Sequence, residues 1–167
     1  RKNKWTNKMN LIPSNQENLY GLGDNLRLFT SLYKENKLPN KILLSGQKGI
    51  GKCTLAYHLV NFILSENEEH SYDEDNLKIN ELNKSFKLIK NNINPNFHLI
   101  DIASGSKTIN IDQIRDLIKN INKSTLNNKP NFILIDNTEY LNKNSINALL
   151  KDLEEPNNKT YFILINN

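Results

Sequence analysis

Four short apolar runs recur along the chain, and segments with helical patterns separate them. The runs are continuously apolar and do not alternate with polar residues, which is typical of strands buried on both faces of a parallel sheet. Strands that alternate with helices indicate an α/β fold whose parallel sheet is flanked by helices on both faces. The predicted strands lie near residues 41–45, 97–101, 131–136 and 160–165.

Apolar residues at helical spacing predict the helices between these strands. A first helix follows the breaker Gly21–Gly23 and ends before Lys37–Asn40. A second helix is apolar nearly all round, as expected for a helix packed at the centre of a domain. An amphipathic third helix contains two heptads, too few for a coiled coil, so we expect it to lie on its own domain. The second to fifth helices are predicted at Cys53 to about Leu64, roughly 77–92, Ile111–Ile121 and Ile146–Leu153.

The composition excludes several classes of protein. The chain has 167 residues, which suits one domain, and its 37% hydrophobic content allows a modest core. No run approaches the roughly 18 apolar residues of a membrane span, and no secretory signal is visible. The single cysteine, Cys53, excludes a disulfide framework and a zinc cage. We therefore expect a cytoplasmic protein with no membrane partner.

The formal charge of +4 belongs to the N-terminal end of the chain. Arg1, Lys2, Lys4 and Lys8 account for it, and the rest of the chain holds 18 basic and 18 acidic residues. We interpret residues 1–10 as a basic tail and residues 11–167 as the folded domain. Because Lys and Arg do not cluster beyond the tail, the sequence gives no separate sign of a nucleic-acid surface. The chain begins with Arg and stops directly after an apolar run, so we expect it to be a fragment.

A glycine-rich turn between the first strand and the second helix carries the strongest chemical signal. Its glycines let the backbone turn tightly and direct N–H groups at a phosphate, and Lys52 adds a positive charge. The expected strand precedes this turn and a helix follows it, which makes the signal specific. The predicted nucleotide-binding residues are Gly46, Gly49, Gly51, Lys52, Cys53, Thr54 and Asp136.

Two residues beside this turn depart from the pattern of an active nucleoside triphosphatase. Cys53 stands where Ser or Thr would bind Mg²⁺, and a thiol is a poor ligand for a hard ion. Thr54 lies about 100° further around the helix, so it cannot simply replace that ligand. Asp136 ends the third strand and could hold the Mg²⁺ shell, but Asn137 follows it where a Glu would activate water. Glu139, two residues further on, is interpreted as the acid at the start of a helix.

These departures predict weak or absent nucleotide binding that depends little on Mg²⁺, together with loss of hydrolysis. No catalytic residue and no metal site are assigned. The alternative, given equal weight, is that the glycine-rich turn binds no nucleotide and is kept only for packing. His58, His70 and His98 show no ligand spacing, and His58, inside the second helix, is expected to be a core or groove residue.

Four segments of the chain resemble the clamp-loader subunits of bacterial DNA polymerase III, and within them the N-terminal domain of the delta-prime family. The most specific segment reads NALLK-LEEP and follows the strand that ends on an acid; the stretch IDQIR is a further likeness. The segments are Leu38–Gly46, Gly49–Ala56, Ile133–Asp136 and Asn147–Pro156, with IDQIR at Ile111–Arg115. The resemblance implies a P-loop NTPase fold of AAA+ type.

The resemblance also implies a role and a set of partners. The role is that of a largely non-hydrolysing structural subunit, which helps a motor neighbour to open a sliding clamp at primer–template DNA. The partners would be the tau/gamma and delta subunits, the clamp and, through the complex, DNA. Cys53 and Asn137 separate the chain from the tau/gamma motor, which keeps Thr and Glu at these positions. The family's lid, collar and trans-acting arginine would follow residue 167.

The resemblance also bears on the cofactors of the protein and on two alternative functions. Many members of the family bind zinc through cysteines between the second helix and the second strand, but residues 65–95 contain no cysteine. We therefore expect no zinc and no required cofactor, with at most weak ATP binding. One alternative function is an active motor ATPase of the tau/gamma type. A P-loop nucleotide or small-molecule kinase is less favoured, because its lid would need clustered Arg and the chain has three.

Overall fold

A computed structural model of the chain describes residues 12–101, 108–109, 112, 115–117, 119, 128–141 and 159–167. Three α-helices, four strands and two short 3₁₀ turns, at Pro13–Asn15 and Thr138–Tyr140, have defined bounds among the described residues. Residues 112, 115–117 and 119 are also helical. In chain order the helices and strands are α1 (Gly23–Lys34), β1 (Lys41–Ser45), α2 (Lys52–Leu64), α3 (Lys84–Lys90), β2 (Phe97–Ile100), β3 (Asn131–Ile135) and β4 (Thr160–Asn166).

The four strands form one parallel sheet in the order β1-β4-β3-β2. Each strand agrees with its predicted range to within one residue at either end. Strand β3 lies between β4 and β2, with Leu134 opposite Ile163 of β4 and Leu99 of β2. The four residues Phe132–Ile135 are fully buried. The prediction of an α/β fold with a parallel sheet and an interior third strand is confirmed.

Both faces of the sheet are packed, which is why its strands are continuously apolar. On one face, α1 and α2 contribute to the larger core cluster, together with Phe132, Leu134 and Ile163. On the other face a smaller cluster contains Ile133 and Ile135. The helices predicted at Ile111–Ile121 and Ile146–Leu153 lie largely or wholly outside the described residues, as do the tail of residues 1–10 and the segments Ile111–Arg115 and Asn147–Pro156.

Helix α2 occupies the centre of the larger cluster. Its residues from Leu55 to Leu64 are all buried, as its nearly uniform apolar character predicted. His58 is fully buried there, so the prediction of a core residue is confirmed. None of the described helices is long and apolar enough to cross a membrane.

The third helix is shorter than predicted: α3 covers Lys84–Lys90, whereas the pattern indicated roughly 77–92. Leu77 has a positive φ of +52°, which is incompatible with a regular helix. The side chain of Asn80 accepts a hydrogen bond from the N–H of Leu82 (2.9 Å), and that of Asn83 accepts one from the N–H of Phe86 (2.7 Å). Asparagine side chains that bind nearby backbone groups compete with helix formation, so the helix begins only after Asn83.

Candidate functional site

The phosphate loop, defined here as residues Gly46–Lys52, joins the carboxyl end of β1 to the first turn of α2. Gly49 and Gly51 have φ values of +88° and +96°, which residues with a Cβ adopt only under strain. Gly51 is also the residue that precedes the first turn of α2. These two glycines therefore let the chain turn directly from the strand into the helix, whose N-terminal N–H groups form an anion-binding end.

Lys52 is buried inside the phosphate loop, with 6% of its surface exposed. Its ammonium Nζ donates hydrogen bonds to the carbonyl oxygens of Gly46 (2.7 Å) and Gln47 (2.8 Å). These bonds satisfy a buried charge that would otherwise be costly. They also hold the positive charge within the loop, where an anionic ligand would be attracted.

A cavity of about 580 Å³ adjoins the phosphate loop. Six of the seven predicted nucleotide-binding residues line it: Gly49, Gly51, Lys52, Cys53, Thr54 and Asp136. The seventh, Gly46, contacts Lys52 through its carbonyl group. The fold therefore brings together predicted residues from the phosphate loop, from α2 and from the position directly after β3.

Residues before α1 form another side of this cavity, which sequence reasoning missed. We call this side the N-terminal wall and define it as Pro13–Tyr20; Pro13, Gln16, Leu19 and Tyr20 line the cavity. These residues follow no apolar period or motif that would have indicated a site. Their place at the cavity is set by their contacts with distant parts of the chain.

The thiol of Cys53 lies beside the carboxyl group of Asp136. Burial, and then the negative charge of Asp136 and a hydrogen bond with it, raise the pKa of Cys53 far above its usual value. Burial is also the main cause that raises the pKa of Asp136, and the charge of Asp101 adds to it. A neutral thiol therefore occupies the position at which an active nucleoside triphosphatase has the Ser or Thr hydroxyl that binds Mg²⁺. This donor set does not fit Mg²⁺, which requires oxygen ligands in a regular octahedron.

Asn137 connects the carboxyl ends of three strands. Its backbone is in the left-handed region, with φ of +57°. Its side-chain Nδ2 donates to Oδ1 of Asp101 after β2 (3.0 Å), and its Oδ1 accepts from Nδ2 of Asn167 after β4 (3.1 Å). An amide has no basic lone pair near neutral pH, so Asn137 cannot activate a water molecule.

Asp101 and Asn167 belong to the site although sequence reasoning did not select them. Each directly follows a strand, as Asp136 does, and this shared position is the signal that could have identified them. Glu139 is the second residue of the short 3₁₀ turn Thr138–Tyr140, close to its interpretation as a helix-starting acid. Its carboxylate accepts a hydrogen bond from the backbone N–H of Asn167 (3.4 Å).

Comparison with known proteins identifies the family. The family model described as DNA polymerase III, delta subunit, matches residues 22–167. The chain belongs to this family. The resemblance predicted from the sequence motifs is thereby confirmed, and membership in this family argues against the kinase alternative.

Relatives of two kinds are similar to the chain. DNA polymerase III subunit delta' of Pseudomonas aeruginosa is 30% identical over 123 residues, which are 74% of this chain and 36% of that protein. Subunit delta' of Buchnera aphidicola subsp. Baizongia pistaciae is 29% identical over 136 residues, which are 78% of this chain and 39% of that protein. DNA polymerase III subunit gamma of Buchnera aphidicola subsp. Schizaphis graminum is 33% identical over 129 residues, 77% of this chain and 33% of that protein. The chain thus spans somewhat more than a third of the delta' relatives.

A solved structure supports the fold. The gamma subunit-related protein of DNA polymerase III from Thermotoga maritima has a TM-score of 0.50 and 17% identity to the chain. The match covers 83% of this chain and 38% of that one. At this identity the likeness concerns the fold alone.

Proposed function

We propose that the chain is the ATPase-type domain of a delta'-type clamp-loader subunit of the bacterial replicative DNA polymerase III. In this role it helps a motor subunit to load the sliding clamp onto primed DNA and does not itself hydrolyse ATP. Its partners are then the tau/gamma and delta subunits, the clamp and, through the complex, primer–template DNA in the cytoplasm. Family membership supports the clamp-loader role, and similarity to the delta' relatives supports the delta' type.

The side chain of Asn137 is the single observation that carries the non-hydrolysing part of the proposal. It occupies the position after Asp136, and both ends of its amide are bonded to neighbouring strand ends. Hydrolysis in P-loop proteins needs a residue that orients or deprotonates the attacking water. An amide held by two hydrogen bonds does not supply the base.

Nucleotide binding depends on other residues than hydrolysis does, so the two properties can be lost separately. The phosphate loop keeps its glycines and Lys52, which can bind phosphate oxygens without a metal ion. Cys53 has a thiol at the position where a Ser or Thr hydroxyl would bind Mg²⁺. The proposed site therefore binds ATP weakly and almost independently of Mg²⁺, and it needs no zinc or other cofactor.

An active motor ATPase is the second candidate, favoured by the 33% identity to a gamma subunit. The two candidates differ in what Lys52 does. A motor subunit needs its loop lysine for turnover, whereas a structural subunit needs its surface to assemble with its neighbours.

Reconstitution of clamp loading tests the proposal. The whole protein, with purified delta and gamma subunits and the clamp, is expected to support ATP-dependent loading onto primed DNA. Lys52→Ala in this protein should leave the loading rate unchanged, whereas the equivalent change in the gamma subunit should abolish it. DNA-stimulated ATP turnover by the protein alone, lost in Lys52→Ala, would establish the motor candidate instead.

A further inference from the structure

His58 links the helix behind the phosphate loop to the N-terminal wall. Its ring is fully buried, with Nε2 3.1 Å from the carbonyl oxygen of Gln16 and Nδ1 2.8 Å from the hydroxyl of Tyr72. Because a carbonyl oxygen only accepts, Nε2 carries the hydrogen and Nδ1 accepts from the Tyr72 hydroxyl. Burial lowers the pKa of His58 to about 4, so the ring is neutral and keeps this tautomer at physiological pH.

The N-terminal wall is also attached to the segment before α3. The N–H of Leu19 donates to the carbonyl of Leu77 (3.1 Å), and the N–H of Ile79 donates to the carbonyl of Glu17 (2.8 Å). These bonds join the wall to the segment before α3. The bond from His58 joins it to α2, the helix whose first turn carries Lys52.

The two sides of the cavity differ in chemistry. The phosphate loop offers backbone N–H groups and an ammonium group, which suit phosphate oxygens. The N-terminal wall offers Pro13, Leu19 and the ring of Tyr20, which is 81% exposed. A cavity of about 580 Å³ is in the range that encloses a small organic ligand, well above the need of a phosphate chain. A nucleoside phosphate has an anionic phosphate end, which suits the phosphate loop, and a planar base, which suits the N-terminal wall.

We propose that His58 is a positioning residue for the nucleoside end of a nucleotide. It acts by holding the N-terminal wall, through the carbonyl of Gln16, at the separation from the phosphate loop that admits a base and ribose. The inference rests on the weak nucleotide binding proposed above and adds to it the residue that controls the nucleoside part of the affinity.

The test compares ATP with inorganic tripolyphosphate, which has the same phosphates and no nucleoside, by equilibrium binding to the whole protein. His58→Leu is expected to weaken ATP binding about ten-fold, the equivalent of losing one well-placed hydrogen bond, and to leave tripolyphosphate binding unchanged. His58→Gln can still donate a hydrogen bond and should restore most of the affinity. Tyr72→Phe, which removes the partner of Nδ1, should give a smaller loss of the same kind.

Asn61→Leu is the matched control. Asn61 lies one turn further along α2, is 1% exposed, and donates to Asn83 rather than to the wall. The Asn61→Leu variant should change the melting temperature as His58→Leu does. The ratio of its dissociation constants for ATP and tripolyphosphate should stay at the value of the parent protein.

Each other outcome overturns the inference in a recognisable way. Equal weakening of both ligands by His58→Leu would show that the residue acts through overall stability. Equal affinity of the parent for ATP and tripolyphosphate would show that the wall does not contact the nucleoside, while phosphate binding at the loop would stand. A parent that binds neither ligand would refute the nucleotide-binding part of the proposed function as well. If His58→Leu does not fold, an unchanged ratio of the two dissociation constants in Tyr72→Phe would be decisive against the inference.

Discussion

The proposal that the phosphate loop lacks a magnesium ligand rests on the sulfur atom of Cys53. The thiol is neutral and lies beside Asp136, where a hydroxyl oxygen would act as a hard ligand. Threonine differs from cysteine there by an oxygen in place of the sulfur and by one methyl group. The chemistry of the site can therefore be changed with little change in volume.

Cys53→Thr is expected to make nucleotide binding depend on Mg²⁺, because it supplies the missing oxygen ligand. ATP turnover should remain absent, since Asn137 is unchanged. Titration of a fluorescent ATP analogue with and without Mg²⁺ measures the first effect, and phosphate release the second. Cys53→Ala, which removes the thiol without adding an oxygen, is the control. Tight binding that strictly requires Mg²⁺ in the parent protein would contradict the assigned role of Cys53.

Stability at acidic pH should depend on His58. Its pKa is about 4 in the folded protein against 6.5 in the unfolded chain, so below pH 6.5 the unfolded chain binds a proton that the fold excludes. The free energy of unfolding should therefore fall between pH 6.5 and 4, by about 3 kcal/mol from this residue. Urea unfolding across this range should give a flatter profile for His58→Gln. Parallel profiles for the two proteins would mean that the folded protein does not exclude the proton.

At the scale of elements, hydrogen bonds of asparagine side chains set the start of α3. Asn83 is fully buried, accepts from the N–H of Phe86 and from Asn61, and donates to the carbonyl of His70 (2.7 Å). One residue thus caps the helix and joins it to α2 and to the loop before it.

Asn83→Ala is expected to lower the free energy of unfolding by about 2–3 kcal/mol, because it removes the cap and leaves buried polar groups unpaired. Asn91→Ala, at the exposed opposite end of α3, should change it by less than about 0.5 kcal/mol. Urea denaturation of both variants gives the comparison. Equal effects of the two substitutions would show that the cap does not define the helix.

At the scale of the whole molecule, the interior strand β3 contributes side chains to the core clusters on both faces of the sheet. Its residues Phe132 and Leu134 belong to the cluster with α1 and α2, while Ile133 and Ile135 belong to the opposite cluster. The same strand ends at Asp136, so the packing of the sheet also positions the site.

Leu134→Ala is expected to lower the free energy of unfolding by about 2–5 kcal/mol, since it leaves a cavity where no surface is exposed. Leu28→Ala removes the same atoms from a residue of α1 that is 56% exposed, and should change stability by less than about 0.5 kcal/mol. Denaturant midpoints of the two variants provide the measurement. A small effect of Leu134→Ala would mean that β3 is not packed as described.

Features that depend on neighbours along the chain could be predicted from the amino-acid sequence alone. The four strands follow from continuous apolar runs, and the phosphate loop follows from glycines between a strand and a helix. The departures at Cys53 and Asn137 were visible because each stands at a fixed distance from a recognisable lysine or aspartate. Local spacing carries such information without knowledge of the fold.

Which distant residues meet depends on how the strands are arranged in the folded chain. The order β1-β4-β3-β2 brings Asp101, Asn137 and Asn167 together, and no local period encodes that order. The predicted third helix was too long for a similar reason: an apolar stripe does not reveal that asparagine side chains bind the backbone outside the helix. The N-terminal wall meets α2 through a hydrogen bond between residues 16 and 58, which forms because folding buries His58 against both of its partners.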